Sequence, residues 1–360
     1  MNKKIDLIIQ ARLGSKRLPN KVIANLNGIP MLDFLVKRIK RSNLINQIIL
    51  ATTSEKIDDL LAKRGEELNL KVIRGSEEDV LGRFIKAIEI SEAYAFIRVT
   101  ADCPFIDEFL IDDLIKSFKN KKVDYLSNCY PPNLPDGLDL EIFTKECLLK
   151  TNQLCKNPNL REHVTAWIRT SNKFSLGSLY YKKNLSKYRL TVDEPEDLKL
   201  IRKILDMSNS GDKITLEEII YILDENPELV KINSKFKRNE GALMNKSNKL
   251  WRRAKKVIPG GNMLLSKRPE MFLPGSWPAY FNKSKGCTVW DIDNKKYFDM
   301  ALMGVGTNIL GYGHPKVDEA IREIISKGNL SSLNCPEEVL LAEKLIELHP
   351  WAEMVRYART

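Results

Sequence analysis

Four basic residues, Arg12, Lys16, Arg17 and Lys21, fall within ten positions around Gly14 and Ser15 in the stretch LIIQARLGSKRLPNK, directly after an apolar run. A polyphosphate carries several negative charges and many acceptor oxygens, so its site needs cationic donors and backbone N–H groups close together. Gly14 lets the backbone approach, Ser15 can donate, and Pro19 stiffens the turn. A solvated basic loop is the other reading of the same residues. Two carboxylates follow at later strand ends: Asp102 in RVTADCPFID and Asp193 in LTVDEPED. A hard cation such as Mg2+ takes one or two carboxylates and completes its shell with phosphate oxygens and water. Each carboxylate also has a plainer reading, Asp102 as a helix cap or turn former and Asp193 as the N-cap of a helix begun by Pro195. Taken together with the basic loop, they describe a metal-assisted attack on a nucleotide phosphate.

The elements that must position these residues alternate. Strands are expected at Ile5 to Gln10, Gln47 to Ala51, Lys71 to Ile73, Tyr94 to Val99 and Val123 to Leu126. Helices are expected at Met31 to Lys40, Glu55 to Leu68, Asp79 to Ile90 and Phe109 to Phe118, where apolar residues recur at helical spacing. Repeated β-α-β units with short connections imply an α/β fold with a largely parallel sheet covered on both faces. The basic loop then sits at the carboxyl edge of the first strand, where such sheets bind their ligands. Beyond Asn128 the proline-rich YPPNLPDG breaks the pattern. A strand from Leu138 to Phe143, helices at Lys145 to Leu154 and Arg161 to Ile168, and strands at Ser175 to Tyr181 and Tyr188 to Val192 follow. Helices from Glu194 to Leu205 and Leu216 to Leu223 close this part.

At 360 residues and 43% hydrophobic content the chain can bury the cores of about two domains. No apolar run approaches the ~18 residues of a membrane helix, and MNKKIDLIIQ lacks the pattern of a signal peptide, which points to a cytoplasmic protein. The six cysteines form no CxxC pair, and read as reduced thiols. From Lys231 to Lys256 ten Lys or Arg stand against the single Glu240, so this segment carries +9 of the net +11. A solvated linker and helix face accounts for it; binding of a polyanion is the alternative, without a recognisable nucleic-acid module. A dinucleotide-binding loop is disfavoured because GxGxxG is absent after the first strand.

The motifs QARLGSKRLPNK, LATTSEKIDD, RGSEEDVLGRFIKA, RVTADCPFID, LPDGLDLEIF, REHVTAWI and RLTVDEPEDL, in this order, resemble the cytidylyltransferases of the spore-coat polysaccharide F type, relatives of the enzymes that activate Kdo and acylneuraminates with CTP. The resemblance spans about Lys4 to Leu205. It implies a nucleotide-diphospho-sugar transferase fold, Rossmann-like with a mostly parallel sheet, in which CTP gives CMP to an acceptor and pyrophosphate leaves. It implies that Arg12, Ser15, Arg17 and Lys21 hold the triphosphate and that Asp102 and Asp193 bind Mg2+. Thr52, Thr53, Arg74, Gly75 and Ser76 fall where the relatives surround base and ribose. Asp136, Glu141, Glu162 and His163 would meet an acidic sugar or phosphorylated acceptor for surface polysaccharide synthesis, with His163 a conceivable base or a structural hydrogen bonder. Arg12, Lys21, Asp102 and Asp193 are the expected catalytic set. A homodimer is also implied. Gln10 stands where the Kdo enzymes usually carry proline, and YPPNLPDG reproduces neither sugar-acid subgroup.

After Lys246 the texture changes, and LWRRAKKVIPGG, GCTVWDIDNKKYFDM, ILGYGHPKV, CPEEVLLAEKLIELHP and VRYART resemble the beginning of class III pyridoxal-phosphate aminotransferases, particularly glutamate-1-semialdehyde aminomutase. The family's phosphate cradle and Schiff-base lysine lie beyond the matching part, so this resemblance implies an incomplete fold-type I segment that uses pyridoxal phosphate (PLP) only in a full-length domain. Helices are expected at Leu250 to Val257, Val317 to Ile325 and Val339 to Leu348, a hairpin from Cys287 to Met300, and a strand-like segment near Met354 to Ala358. The expected organisation is a cytidylyltransferase domain over 1–230, a basic linker over 231–245 and an aminotransferase fragment over 246–360. The alternative is a PLP enzyme, when full length, with a nucleotide-binding appendage.

Overall fold

Leu7, Ile8 and Ile9 put apolar side chains on both faces of the middle of the first strand, and such a strand is stable only where both faces are covered. Accordingly β1 (Ile5–Gln10) is central. The computed structural model describes residues 3–358 apart from 16, 237, 239–245, 275, 305 and 329–331, and leaves the side chain of Asn159 undescribed. The chain forms two units, Met1–Glu240 and Gly241–Thr360.

In the first unit β1 is followed by a short hairpin of β2 (Asn25–Leu26) and β3 (Ile29–Pro30), then α1 (Met31–Ile39), β4 (Gln47–Thr53), α2 (Asp59–Glu67), β5 (Lys71–Gly75), α3 (Val80–Glu89), β6 (Ala95–Thr100) and α4 (Glu108–Lys121). Next come β7 (Tyr125–Ser127), β8 (Glu141–Thr144), α5 (Lys145–Leu154), the short helices α6 (Pro158–Glu162) and α7 (Ala166–Thr170), and β9 (Leu176–Ser178). Helices α8 (Pro195–Met207), α9 (Leu216–Glu225) and α10 (Pro227–Lys231) end the unit. The main sheet runs β5-β4-β1-β6-β8-β7-β9. Strands β5, β4, β1 and β6 are parallel, β8 is antiparallel to both β6 and β7, and β9 is parallel to β7. One apolar core lies on the face covered by α1, α4, α8 and α9, and a second under α3 and α5 on the other. This is the mostly parallel α/β sheet expected from the alternation, with loops gathered at one carboxyl edge.

Several boundaries moved. Of Tyr188 to Val192 only Arg189 makes a strand-like bridge, to Asp136; tethers to the loop after β7 and, through the Val192 N–H, to the loop after β6 replace the expected strand. Arg161 to Ile168 is not one helix, because Val164 turns to φ 49° between α6 and α7. The strand expected from Leu138 begins only at Glu141, since Gly137 and its neighbours fold back on 190–191. Buried Arg38 on α1 donates to the carbonyls of Phe105 (3.1 Å) and Ile106 (3.2 Å) and to those of Asp212 and Ile214 (both 2.8 Å). A satisfied guanidinium thereby holds the loop that carries Asp102 against the first core.

In the second unit, α11 (Lys246–Val257) packs Trp251, whose Nε1 donates to Glu270 at 2.9 Å. An antiparallel sheet of β10 (Phe281–Lys285), β11 (Thr288–Asp291) and β12 (Lys296–Phe298) turns at Asn294, φ 63°, where the hairpin was expected. Helices α12 (Pro315–Ser326) and α13 (Pro336–Leu348) bury none of their described residues. Residues 354–358 form no strand. Among the described residues no helix is long and apolar enough to cross a membrane.

Gly137 has φ 102°, and a Cβ there would stand 2.3 Å from the Thr191 nitrogen. Gly137→Ala is expected to lower stability by roughly 2–3 kcal/mol, because strain and collision act together. Urea unfolding measures it, and a loss below about 0.5 kcal/mol would mean that the loop rearranges freely.

Candidate active site

The loop after β1 is folded by its backbone before its charges matter. The Leu13 N–H donates to Asp58 at 2.6 Å, and the Leu13 carbonyl accepts from Ser15 (2.8 Å) and Asn20 (3.1 Å). Asn20, in the left-handed region at φ 59°, then starts a single 3-10 turn with Lys21 as its first residue. Gly14 is uncrowded: the nearest atom to a Cβ there would be the Glu77 Oε1, 3.9 Å away. Among the described residues nothing crowds that position, so the backbone there is open to close approach. Lys16 lies outside the described residues.

Lys21 points into the edge of the sheet with its side chain only 9% exposed, and its Nζ donates to Asp102 Oδ2 at 2.6 Å and Asp193 Oδ1 at 2.7 Å. Arg17 reaches the same Asp193 oxygen at 2.7 Å. Three residues distant in sequence thus meet in one charge cluster. Burial alone would raise the Asp102 carboxyl, but the Lys21 ammonium reverses this and holds it at about 2. Burial likewise opposes the charge on Lys21, and the two carboxylates overcome it, so its pKa is raised. Neither carboxylate caps a helix. Asp107 caps α4, accepting from the Leu110 N–H, and Glu194 is the N-cap of α8. The capping alternatives for Asp102 and Asp193 are therefore excluded by the helix boundaries.

Backbone and side-chain bonds fix this pair of carboxylates. The Asp102 carbonyl accepts from the Val192 N–H at 2.8 Å, tying the segment before Asp193 to the loop after β6. Arg189 donates to both oxygens of buried Asp197 at 2.9 Å, to Asp136 at 2.7 Å and to Asp193 at 3.4 Å. Asp197 in turn accepts from the backbone N–H groups of Asp193 and Glu194, each at 3.0 Å. Arg189 and Asp197 were not singled out from sequence. The alternation of an arginine with acids four and eight residues on, inside RLTVDEPEDL, was the available signal.

The remaining expected residues are placed as follows. Arg12 pairs with Glu77 at 2.5 Å rather than with the carboxylate cluster, and Ser15 is half-buried in the loop. Thr53 donates to Asp58, while the buried Thr52 Oγ1 has no hydrogen-bond partner among the described residues. Arg74 is engaged by the carbonyls of Thr53 and Glu55, both at 2.9 Å, and by Asp59 at 2.7 Å. Gly75 is buried, and Ser76 accepts at its hydroxyl from the N–H groups of Glu78 and Asp79. Asp136 lies beside Arg189 and Arg238. Glu141 is buried and accepts from Arg98 (2.5 Å), Tyr125 (2.5 Å) and Thr165 (2.6 Å). Burial would raise Glu141, but Arg98 and Arg169 keep it lowered. Glu162 ends α6, and half-buried His163 lies in the turn after it.

Two carboxylates converging on one cationic nitrogen are a donor set that fits Mg2+, which requires few protein ligands when a phosphate supplies the rest. Among the described residues no group of three or more His, Cys, Asp or Glu offers a metal site made of protein alone. PLP needs an enclosed phosphate anchor and an aldimine lysine. In the second unit α12 and α13 bury none of their described residues.

Residues 7–231 match the cytidylyltransferase family and residues 274–360 the class III aminotransferase family. Over 234 residues the chain is 33% identical to a spore coat polysaccharide biosynthesis protein of Bacillus subtilis, covering 62% of this chain and 95% of that protein. A solved cytidylyltransferase structure from Leptospira borgpetersenii serovar Hardjo-bovis superposes with a TM-score of 0.61 at 30% identity, covering 64% of this chain and 97% of that one. The second unit is 38% identical over 115 residues to glutamate-1-semialdehyde 2,1-aminomutase of Methanothermobacter thermautotrophicus, a match of 32% of this chain and 26% of that protein. The chain thus spans about a quarter of that relative's length.

Asp139 gives the acidic edge a pH signature. Burial lifts its carboxyl to about 6; Arg238 pulls down while Asp136 and Glu141 push up. Its unfolded value is about 3.9, so between roughly pH 4 and 6 the folded chain holds more proton at this site and stability falls as pH rises. Asp139→Asn is expected to remove that part of the slope in denaturant unfolding measured across the window; an unchanged difference between variant and wild type would assign the slope elsewhere.

Proposed function

The chain belongs to the cytidylyltransferase family and is a nucleotidyltransferase, and we propose that it transfers CMP from CTP to an acidic sugar or phosphorylated small acceptor in surface polysaccharide synthesis, with Mg2+ present and pyrophosphate released. The observation that carries this reading is the convergence of Asp102 and Asp193 on Lys21, beside Arg17, at the carboxyl edge of the sheet. The relation to the spore coat protein supports the polysaccharide context.

Asp102 and Asp193 are the residues that would hold Mg2+. Bound there, the ion neutralises charge on the triphosphate and on the leaving pyrophosphate. Lys21, which bridges the carboxylate pair, turns to phosphate oxygens when the triphosphate arrives. Arg17 needs only to exchange one anion for another. The loop N–H groups and Gly14 bring the backbone against the phosphates, with Ser15 and Arg12 on its flanks. Arg189 does not meet the nucleotide; it keeps Asp193 and Asp136 in fixed relation, so the donor and acceptor sides share one support. Asp136, Glu162 and His163 line the acceptor side, and Glu141 fixes its floor through Arg98 and Tyr125. The α-phosphorus is attacked in line by the acceptor oxygen, and no covalent enzyme intermediate is required. A sugar hydroxyl must lose a proton, for which His163 is the proposed base; a phosphate acceptor needs none.

Pyrophosphate release measured with CTP, Mg2+ and a panel of sugar acids and phosphorylated polyols tests the reading. Asp102→Asn and Asp193→Asn are each expected to lower the rate by at least about 100-fold. Lys21→Met is expected to lower it comparably. Full activity in either carboxylate variant would remove the metal assignment. A second experiment isolates the loop: Gly14→Ala is expected to leave the unfolding midpoint in place and to weaken CTP binding, measured by calorimetry.

A further inference from the structure

Arg83 on α3 is one of the most enclosed charged residues of the first unit, 2% exposed, and its Nε and Nη1 find no hydrogen-bond partner among the described residues. A buried guanidinium left without acceptors is costly, and native structures retain such groups where a ligand or water completes them. The carboxylates around it are already taken. Glu77 holds Arg12 at 2.5 Å. Asp79 accepts from Arg161 at 2.9 and 3.0 Å and from the Gly82 N–H at 3.0 Å. Asp58 accepts from the Leu13 N–H and the Thr53 hydroxyl. Burial, and then the like charge of Arg12, pull the guanidinium down to about 10.

Its position tells what the missing acceptor is. Arg83 lies against Gly75, where a Cβ would meet its Cγ at 2.7 Å, and Gly75 is in register with Thr53 on β4. In the sheet order, β5, which ends in Gly75, stands three strands from β6, after which Asp102 follows. At ~4.8 Å per strand this is roughly 14 Å along the edge, too far for a phosphate held at Asp102 and Asp193, and on the scale of a nucleoside. Arg74, the basic residue expected at this end, has its guanidinium engaged by Thr53, Glu55 and Asp59. Among the described residues there, Arg83 keeps unused donors at Nε and Nη1.

Resting on the reading of the site as one for CTP, we propose that Arg83 is the residue that selects the pyrimidine, donating to the acceptor edge of cytosine formed by O2 and N3. A guanidinium only donates, and cytosine presents acceptors at both positions. Uracil presents N–H at position 3, which turns one contact into a clash of donors. A site built around a buried hydrogen bond rejects an analogue that cannot make it far more strongly than an apolar pocket does. Gly75 fits the same role, because a side chain there would displace Arg83.

The test compares the full chain with Arg83→Met and Arg83→Lys, using calorimetric binding of CTP, UTP and inorganic triphosphate and thermal unfolding of each protein. Arg83→Met is expected to cut the CTP-over-UTP preference by about tenfold or more, with triphosphate binding unchanged and the melting temperature kept or raised, since a buried unpaired charge is removed. Arg83→Lys, which keeps the charge without the planar donor set, is expected to lose preference as well, and carries the test if the Met variant does not fold. An unchanged CTP-over-UTP ratio in a folded variant overturns the proposal. An equal loss for all three ligands also overturns it, making Arg83 a phosphate contact. A wild-type chain that binds none of the nucleotides would instead refute the underlying reading of the site.

Discussion

The buried ammonium of Lys21, shared between Asp102 and Asp193, is the contact on which the geometry of the site depends. Two carboxylates brought this close at the partly buried edge of the sheet repel each other, and the ammonium between them offsets that repulsion. It also links three strand-edge loops that are separated by 81 and 172 residues in the chain. A cluster with these properties is preorganised for a divalent ion and a polyanion, because the negative charge is already assembled and the balancing charge sits on a long, flexible side chain.

Around this contact the protein uses arginines as fixed connectors. Arg189 binds carboxylates on three positions, Arg38 binds the carbonyls of the loop that carries Asp102, and Arg98 joins Gln10 at the end of β1 to Glu141 on β8. A planar guanidinium can satisfy several acceptors at once without being able to lose its charge, which makes it suited to such buried joints. Arg83, as buried as Arg38, differs in finding no acceptor for its Nε and Nη1 among the described residues. That contrast is the observation behind the role proposed for Arg83.

The second unit follows different rules. Its small antiparallel sheet and the packing of Trp251 against Glu270 and Gly261 give it local order. The apolar residues of α12 and α13, including Val317, Ile321, Val339 and Leu340, remain exposed. Amphipathic helices are stabilised mainly by the surface they cover, so the resemblance to aminotransferases here is one of sequence and local elements, without an enclosed cofactor site among the described residues.

The alternation of strands and helices as far as α4, the basic loop after β1 and Asp102 beyond the end of β6 were legible in the sequence, because hydrophobic period, turn residues and charge are local properties, whereas the strand expected before Asp193 does not form. The family resemblance followed from motifs of the same local kind. Which acid meets which base was not legible. Arg12 and Arg17 stand five residues apart in one loop, yet one faces Glu77 and the other Asp193. Likewise, nothing in REHVTAWI announces the break at Val164, and nothing in RGSEEDVLGRFIKA distinguishes the engaged Arg74 from the unpartnered Arg83. Pairing among charged side chains is set by strand register, by the backbone bonds that fold each loop, and by burial that decides which groups must find partners. Those are properties of the assembled sheet, and only the tertiary structure fixes them.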